Sequence, residues 1–290
     1  MDKQALIDAI RRSGGKQWAL DEADNLWLRL DLLRKTGRYG QLLSSLAKAN
    51  DKSNFLAVVL EANFAYQFES QGLDLAYEVQ QDAQKKTSID FLRKTPSGDN
   101  VYFELRLLQQ TQSITDSIKT QLQGSHVYRL FMGGDDEQNE VARIQNTILG
   151  KVQDKNGKPV KFFSTDADAI NIVVVDATKS IFGTIDVHDC TLATHGDPSV
   201  DEVYRRKVFG LFQEDRPEYP QRIHDLAAKY SHIRKTLHGV LFLFKEPHTG
   251  LLAYRLEQYL MWNRALIDSA KAKRILGDLT GAIPCRRDRA

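Results

Sequence analysis

SIDFLRKT (88–95) and VYFELRLLQQ (101–110), separated by Pro96-Ser97-Gly98-Asp99-Asn100, decide how this chain is read. Both flanks are rich in β-branched and aromatic residues, which favour strands. The break between them is turn chemistry. With residues 96–100 as the loop, Thr95 faces Val101, Phe91 faces Leu105 and Ile89 faces Leu107, so one face is apolar. Asp90 then lies opposite Arg106 on the other face, and Glu104, two residues from Arg106, points the same way. A one-residue slip would scatter this set.

Two carboxylates on neighbouring strands repel each other unless a cation lies between them. Hard oxygen ligands at such spacing suit Mg²⁺ (or Mn²⁺), which binds through one or two carboxylates plus waters and phosphate oxygens. Such an ion polarises a phosphodiester and activates the attacking water. A cationic side chain nearby stabilises charge that develops on the phosphate.

Outward from the hairpin, the N-terminal stretch reads as helices. Asp2 caps a short one ending at Ser13-Gly14-Gly15. Asp21 caps a second, through Leu26, Leu30 and Leu33, that stops near Gly37. Gln41 to Lys48 form a third. Ser53 opens a fourth, FLAVVLEANFAYQFES, with Gly72 as a left-handed stop. It is apolar on nearly every side, the mark of a buried helix. LAYEVQ (75–80) reads as a first strand. Helices are expected around 112–122 and from Asp136 to Leu149. INIVVVDA (170–177) and GVLFLFKE (239–246) read as strands covered on both faces. DEVYRRKVFGLFQ (201–213) and residues 254–273 read as helices, and 276–290 as a flexible tail. This order predicts an α/β fold, a mixed β-sheet flanked by helices, preceded by a helical segment over 1–50.

With this strand order and Ile89-Asp90-Phe91 followed by Phe103-Glu104-Leu105-Arg106, the chain resembles the PD-(D/E)xK nuclease superfamily, whose fold is restriction-endonuclease-like. The resemblance covers about residues 53–180, with an extension to 246 left open, and the nuclease-like domain is expected over 51–275. It implies metal ligation by Asp90 and Glu104. It implies a supporting role for Glu61, placed like the Glu that the family often carries on the preceding core helix, and for Gln110, which follows the motif as in some branches. Arg106 stands where the family usually has Lys. Arg keeps the charge and can hold phosphate in a fork, but it cannot act as a base at neutral pH.

The remaining signals are weaker. FGTIDVHDCTLATHGD (182–197) contains Asp186, His188, Asp189, Cys190 and His195, but in no metal-ligand spacing, and reads as a loop. MGGDD (132–136) lacks the GK[ST] ending of a phosphate loop. Arg205, Arg206 and Lys207 form a basic stripe suited to a phosphate backbone. Glu78 is expected either at the same cleft or on an exposed edge.

Composition sets the outer bounds. The chain has 290 residues, 42% hydrophobic and 27% charged, with a formal net charge of +2. Nucleic-acid binding would therefore depend on a local basic surface. No apolar run approaches the ~20 residues of a membrane span, and the N-terminus lacks the apolar core of a secretory signal. Cys190 and Cys285 alone build neither a disulfide framework nor a Cys-type zinc site. A cytoplasmic setting, no membrane partner and a nucleic-acid partner, DNA ahead of RNA, are expected. The leading function is a metal-dependent nuclease. The alternative is a non-catalytic nuclease-fold module that binds nucleic acid or a protein. In either case the N-terminal helices are open to substrate contact or to a homodimer contact.

Overall fold

A computed structural model describes residues 1–15, 20–80, 87–108, 120–121, 123, 134–154, 156–162, 167–178, 185–199, 208–245 and 256–283. Four helices come first: α1 (Lys3–Arg12), α2 (Ala23–Thr36), α3 (Gly40–Lys48) and α4 (Lys52–Glu69). The strands β1 (Ala76–Val79), β2 (Ile89–Lys94) and β3 (Asn100–Leu107) follow, then α5 (Gly134–Val152) and β4 (Ala169–Asp176). The chain continues through α6 (Val187–His195), α7 (Gln221–Lys229), α8 (Ser231–Thr236), β5 (Gly239–Lys245), β6 (Leu256–Trp262) and α9 (Ser269–Leu279).

The six strands form one mixed sheet in sequential order. β1, β2 and β3 are an antiparallel meander, β4 and β5 add in parallel, and β6 closes the far edge antiparallel. β4 is buried along its whole length. Its Ile170, Ile172 and Val174 enter one apolar cluster, and its Val173 and Val175 enter another. This two-sided burial is why its sequence is a continuous apolar run rather than an alternation.

The first cluster joins α1–α4 and α9 to one sheet face, through Phe64, Phe68, Phe91 and Phe103 among others. Phe64 packs on Phe91 and Phe103 with ring centroids 5.5 and 5.2 Å apart. The second joins α5–α8 to the opposite face, through Ile144, Ile148, Ile233 and Phe242. The fold is thus a mixed α/β layer structure with helices on both sides of the sheet. The apolar α4 is buried as its composition requires, although its cap is Asp51, not Ser53: the Asp51 carboxylate accepts the Asn54 N–H at 2.8 Å.

Several expectations are corrected. Residues 256–262 form the edge strand β6 rather than part of a helix. Apolar residues at 256, 259 and 260 fit a helical period, but pairing with β5 satisfies the backbone donors and acceptors of that exposed edge. Residues 187–195 form α6 rather than a loop. Asp186 and Asp189 build a reciprocal capping box there, each carboxylate accepting the other's backbone N–H, at 3.0 and 2.9 Å. The expected tail begins too early, since Leu279, Ala282 and Ile283 are buried. The helix expected around 112–122 falls mostly outside the described residues, as do 201–207 of the stretch 201–213; its residues 208–210 take up no helix.

The hairpin itself pairs two residues out of the expected register. Phe91 faces Phe103, Leu92 faces Tyr102, and Lys94 faces Asn100. The loop is Thr95–Asp99, closed by the Thr95 N–H on the Asp99 carbonyl (2.9 Å) and the Asp99 N–H on Thr95 Oγ1 (3.0 Å). A shift of two preserves the alternation along β3, whereas in β2 Phe91 joins the first cluster and Ile89 the second. The shift changes the partners, however, so that Glu104, not Arg106, lies level with Asp90.

Candidate active site

Regular pairing of β2 with β3 ends at Phe91–Phe103. One residue further, the backbones give way to a side chain: Asp90 Oδ2 accepts the Leu105 N–H at 2.6 Å. Asp90 is thereby held at the mouth of the opened hairpin, beside Glu104. Glu104 is fully buried.

Two lysines compensate that buried charge. The ammonium groups of Lys151, in the last turn of α5, and of Lys161 both reach Glu104 Oε1 at 2.5 Å. A short excursion of chain brings the two lysines together. The N–H groups of Val160 and Lys161 return to the Val152 carbonyl, at 2.9 and 3.3 Å. Asp154 Oδ1 accepts the N–H of Asn156 and of Lys158, at 2.8 and 2.9 Å. Thr87, just before β2, donates its hydroxyl to the Val160 carbonyl. Phe162, fully buried, holds a left-handed backbone at φ 59° immediately after Lys161. Such a conformation costs a non-glycine residue on the order of 1 kcal/mol or more and persists only where packing enforces it.

Glu61 approaches from α4, the helix on the other side of the sheet. Its carboxylate accepts the Tyr77 hydroxyl at 2.9 Å. Burial, and then repulsion from Asp90, push its pKa up to about 7, against the Tyr77 hydrogen bond and a smaller pull from Lys151. Burial, and then repulsion from Glu104, push Asp90 up to about 6, opposed by Lys151, Lys161 and the Leu105 N–H. Three acids and two ammonium groups therefore share one electrostatic site at the end of the hairpin, and two of the acids hold protons more tightly than usual.

Glu61, Asp90 and Glu104 thus act on one another electrostatically. Arg106 is not part of this contact: it lies on the same strand face as Glu104 but is exposed. Glu78 turns elsewhere. Its backbone is left-handed at φ 51°, and its carboxylate accepts Gln41 Nε2 at 2.9 Å. Gln110 and the stripe Arg205, Arg206 and Lys207 lie outside the described residues. Lys151 and Lys161 were missed from the sequence, because no spacing ties them to Glu104. The only hint was a basic residue in the last turn of the helix that follows the meander.

The donor set bears directly on metal binding. Glu104 Oε2 is hidden from solvent and has no hydrogen-bond partner, and Asp90 lies beside it with a raised pKa. Both features fit a cation that takes one or two carboxylates and completes its shell with water or phosphate oxygens. No cluster of three or more His, Cys, Asp or Glu side chains suited to a metal ion occurs among the described residues. A resident metal built wholly from protein ligands is therefore not what these residues fit. Among the described residues no helix is long and apolar enough to cross a membrane.

No family model matches this chain, and neither does any curated protein or solved structure.

Proposed function

We propose that this protein is a metal-dependent phosphodiester hydrolase with a restriction-endonuclease-like fold, acting on nucleic acid, DNA ahead of RNA. The observation that carries this reading is the buried Glu104, level with Asp90 at the open end of the hairpin and held by two lysines. Asp90 and Glu104 would hold Mg²⁺ or Mn²⁺, with Glu61 supporting the shell. When bound, the ion would lower the pKa of its water and polarise the phosphoryl group.

The protein's own residues carry the rest. Lys151 and Lys161 take the part expected of Arg106. Each is an ammonium on a flexible stem, able to leave Glu104 for a phosphate oxygen and to offset the charge that grows there in the transition state. The Leu105 N–H fixes one Asp90 oxygen, so the other is the one that would take a ligand. Glu61, with its raised pKa, is suited to relay a proton near neutrality.

The test is direct cleavage of single- and double-stranded DNA and RNA, with Mg²⁺ or Mn²⁺ and with chelator. Cutting that depends on the ion, and that Asp90→Asn and Glu104→Gln abolish, supports the reading. A second reading is favoured by the two lysines already seated on Glu104 Oε1, which resembles a neutralised site. It is a binding module without catalysis. Nucleic-acid binding with a clear salt dependence but no cutting on any of these substrates would establish it.

A further inference from the structure

A cleft of about 920 Å³ opens between α5, the turn that follows it and the junction of α7 with α8. Asn146, Leu149, Gly150 and Gln153 line it from α5. At 100° per residue these four share a stripe on which Lys151 does not fall, so the cleft and the Glu104 site use different faces of the helix. The volume lies within the range of small-ligand sites, roughly 300–1,000 Å³.

Its polar groups are asymmetric. Lys229 and Lys235 line it and are exposed. Asp154 is its one acid among the described lining residues, and that carboxylate is engaged by the N–H groups of Asn156 and Lys158. Deeper in, Gln153 is only 5% exposed. Its Nε2 donates to the Lys229 carbonyl at 3.0 Å, which sets the orientation of the amide, and its Oε1 is hidden with no partner. His232 Nε2 is hidden and unpartnered as well, while the ring bonds the Lys161 backbone. Two hidden atoms without partners and two lysines thus line the same cleft. Buried acceptors in this state require a donor from a ligand or solvent, and the ammonium groups call for an anion.

We propose that this cleft is a second site that binds one nucleotide, its phosphate against Lys229 and Lys235 and the amino-bearing edge of its base against Gln153 and His232. The proposal goes beyond the hydrolase reading and does not rest on it. A free nucleotide and the phosphorylated end of a nucleic-acid strand present the same chemistry.

Calorimetric titration of the full chain with AMP, inosine monophosphate, adenosine and a 5′-phosphorylated oligodeoxyadenylate tests it. AMP should bind, and both adenosine and inosine monophosphate should bind about tenfold more weakly, the loss that one charge-assisted or one buried hydrogen bond represents. Lys229→Ala/Lys235→Ala, at two exposed positions, should weaken AMP by about tenfold or more and leave adenosine unchanged. Asp90→Asn should bind AMP as the wild type does, whatever its effect on cleavage. Competition between AMP and the oligonucleotide supports a strand end as the source, and exclusion of the oligonucleotide supports a free nucleotide. Absence of AMP binding at millimolar concentration, equal affinity for AMP and inosine monophosphate, or an unchanged affinity in the double variant overturns the proposal.

Discussion

Asp90 Oδ2 accepts the Leu105 backbone N–H at 2.6 Å, in the place where the next β2–β3 ladder bond would fall. One side chain thus ends the pairing of the hairpin, satisfies a main-chain donor and brings a carboxylate alongside Glu104. Structure and candidate chemistry meet in this one contact, and they can be separated by substitution.

Asp90→Asn retains an oxygen that can accept the Leu105 N–H, whereas Asp90→Ala leaves that donor unsatisfied. Urea unfolding in chelator at pH 7 should show Asp90→Asn at least as stable as wild type, since it removes a charge that burial disfavours, and Asp90→Ala less stable than Asp90→Asn by about 1–3 kcal/mol. Both should lose ion-dependent cleavage. Equal stability of the two variants would mean that the contact contributes nothing to the hairpin.

Removing both lysines strands Glu104. Lys151→Ala and Lys161→Ala should each be tolerated, because the other ammonium remains on Oε1. The double variant should lose about 3–5 kcal/mol, the cost of an uncompensated buried charge. Mg²⁺ should raise its Tm by more than it raises that of the wild type, since the ion would replace the missing positive charge. A double variant that is destabilised but indifferent to divalent ions would argue against a metal at Glu104.

Stability should depend on pH with opposed contributions. Glu61 and Asp90 have folded pKa values of about 7 and about 6, above their ordinary values of 4.5 and 3.8. Between those limits the folded state holds protons that the unfolded state has released, so stability is lost as pH rises from about 4 to about 7. His238 acts the other way. Its Nδ1 accepts the Asn171 N–H at 3.2 Å, and burial lowers its pKa from 6.5 to about 4, so stability is lost as pH falls through that window. In chelator at pH 8, Glu61→Gln should be more stable than wild type by on the order of 2 kcal/mol, and its decline with rising pH should be shallower. Thermal unfolding from pH 4 to 9 measures both.

Arg106 now carries a different expectation from the one its position in the motif suggests. It is exposed, and Lys151 and Lys161 occupy Glu104. Arg106→Ala should therefore leave the rate constant for cleavage within a few-fold of wild type, and Arg106→Lys should not raise it. Lys161→Ala should lower it by about 100-fold or more, the scale seen when a group that stabilises transition-state charge is removed. Single-turnover cleavage of the same substrate by the three variants separates these roles. A large loss in Arg106→Ala alone would return the cationic role to the strand.

The sequence by itself determined which face of each strand is apolar and which carries charge. That information has a period of two, so a two-residue shift in the hairpin register still leaves a carboxylate, Glu104, level with Asp90. It also marked β4 and α4 as elements covered all round, because a continuous apolar run has no other stable setting. The tertiary structure decided the rest. The loop closes at Thr95–Asp99 in part because Asp99 is held from α9 by Lys271 and Arg274, at 3.6 and 2.8 Å, contacts about 170 residues away in the chain that no local pattern encodes. β6 became a strand because an open sheet edge supplies backbone partners that outweigh a helical spacing of apolar residues. Lys151 and Lys161 reached Glu104 because a helix end and a returning turn happen to meet the open hairpin. Strand alternation is a local property of the chain, whereas the partners of a buried charge are set by packing between distant segments.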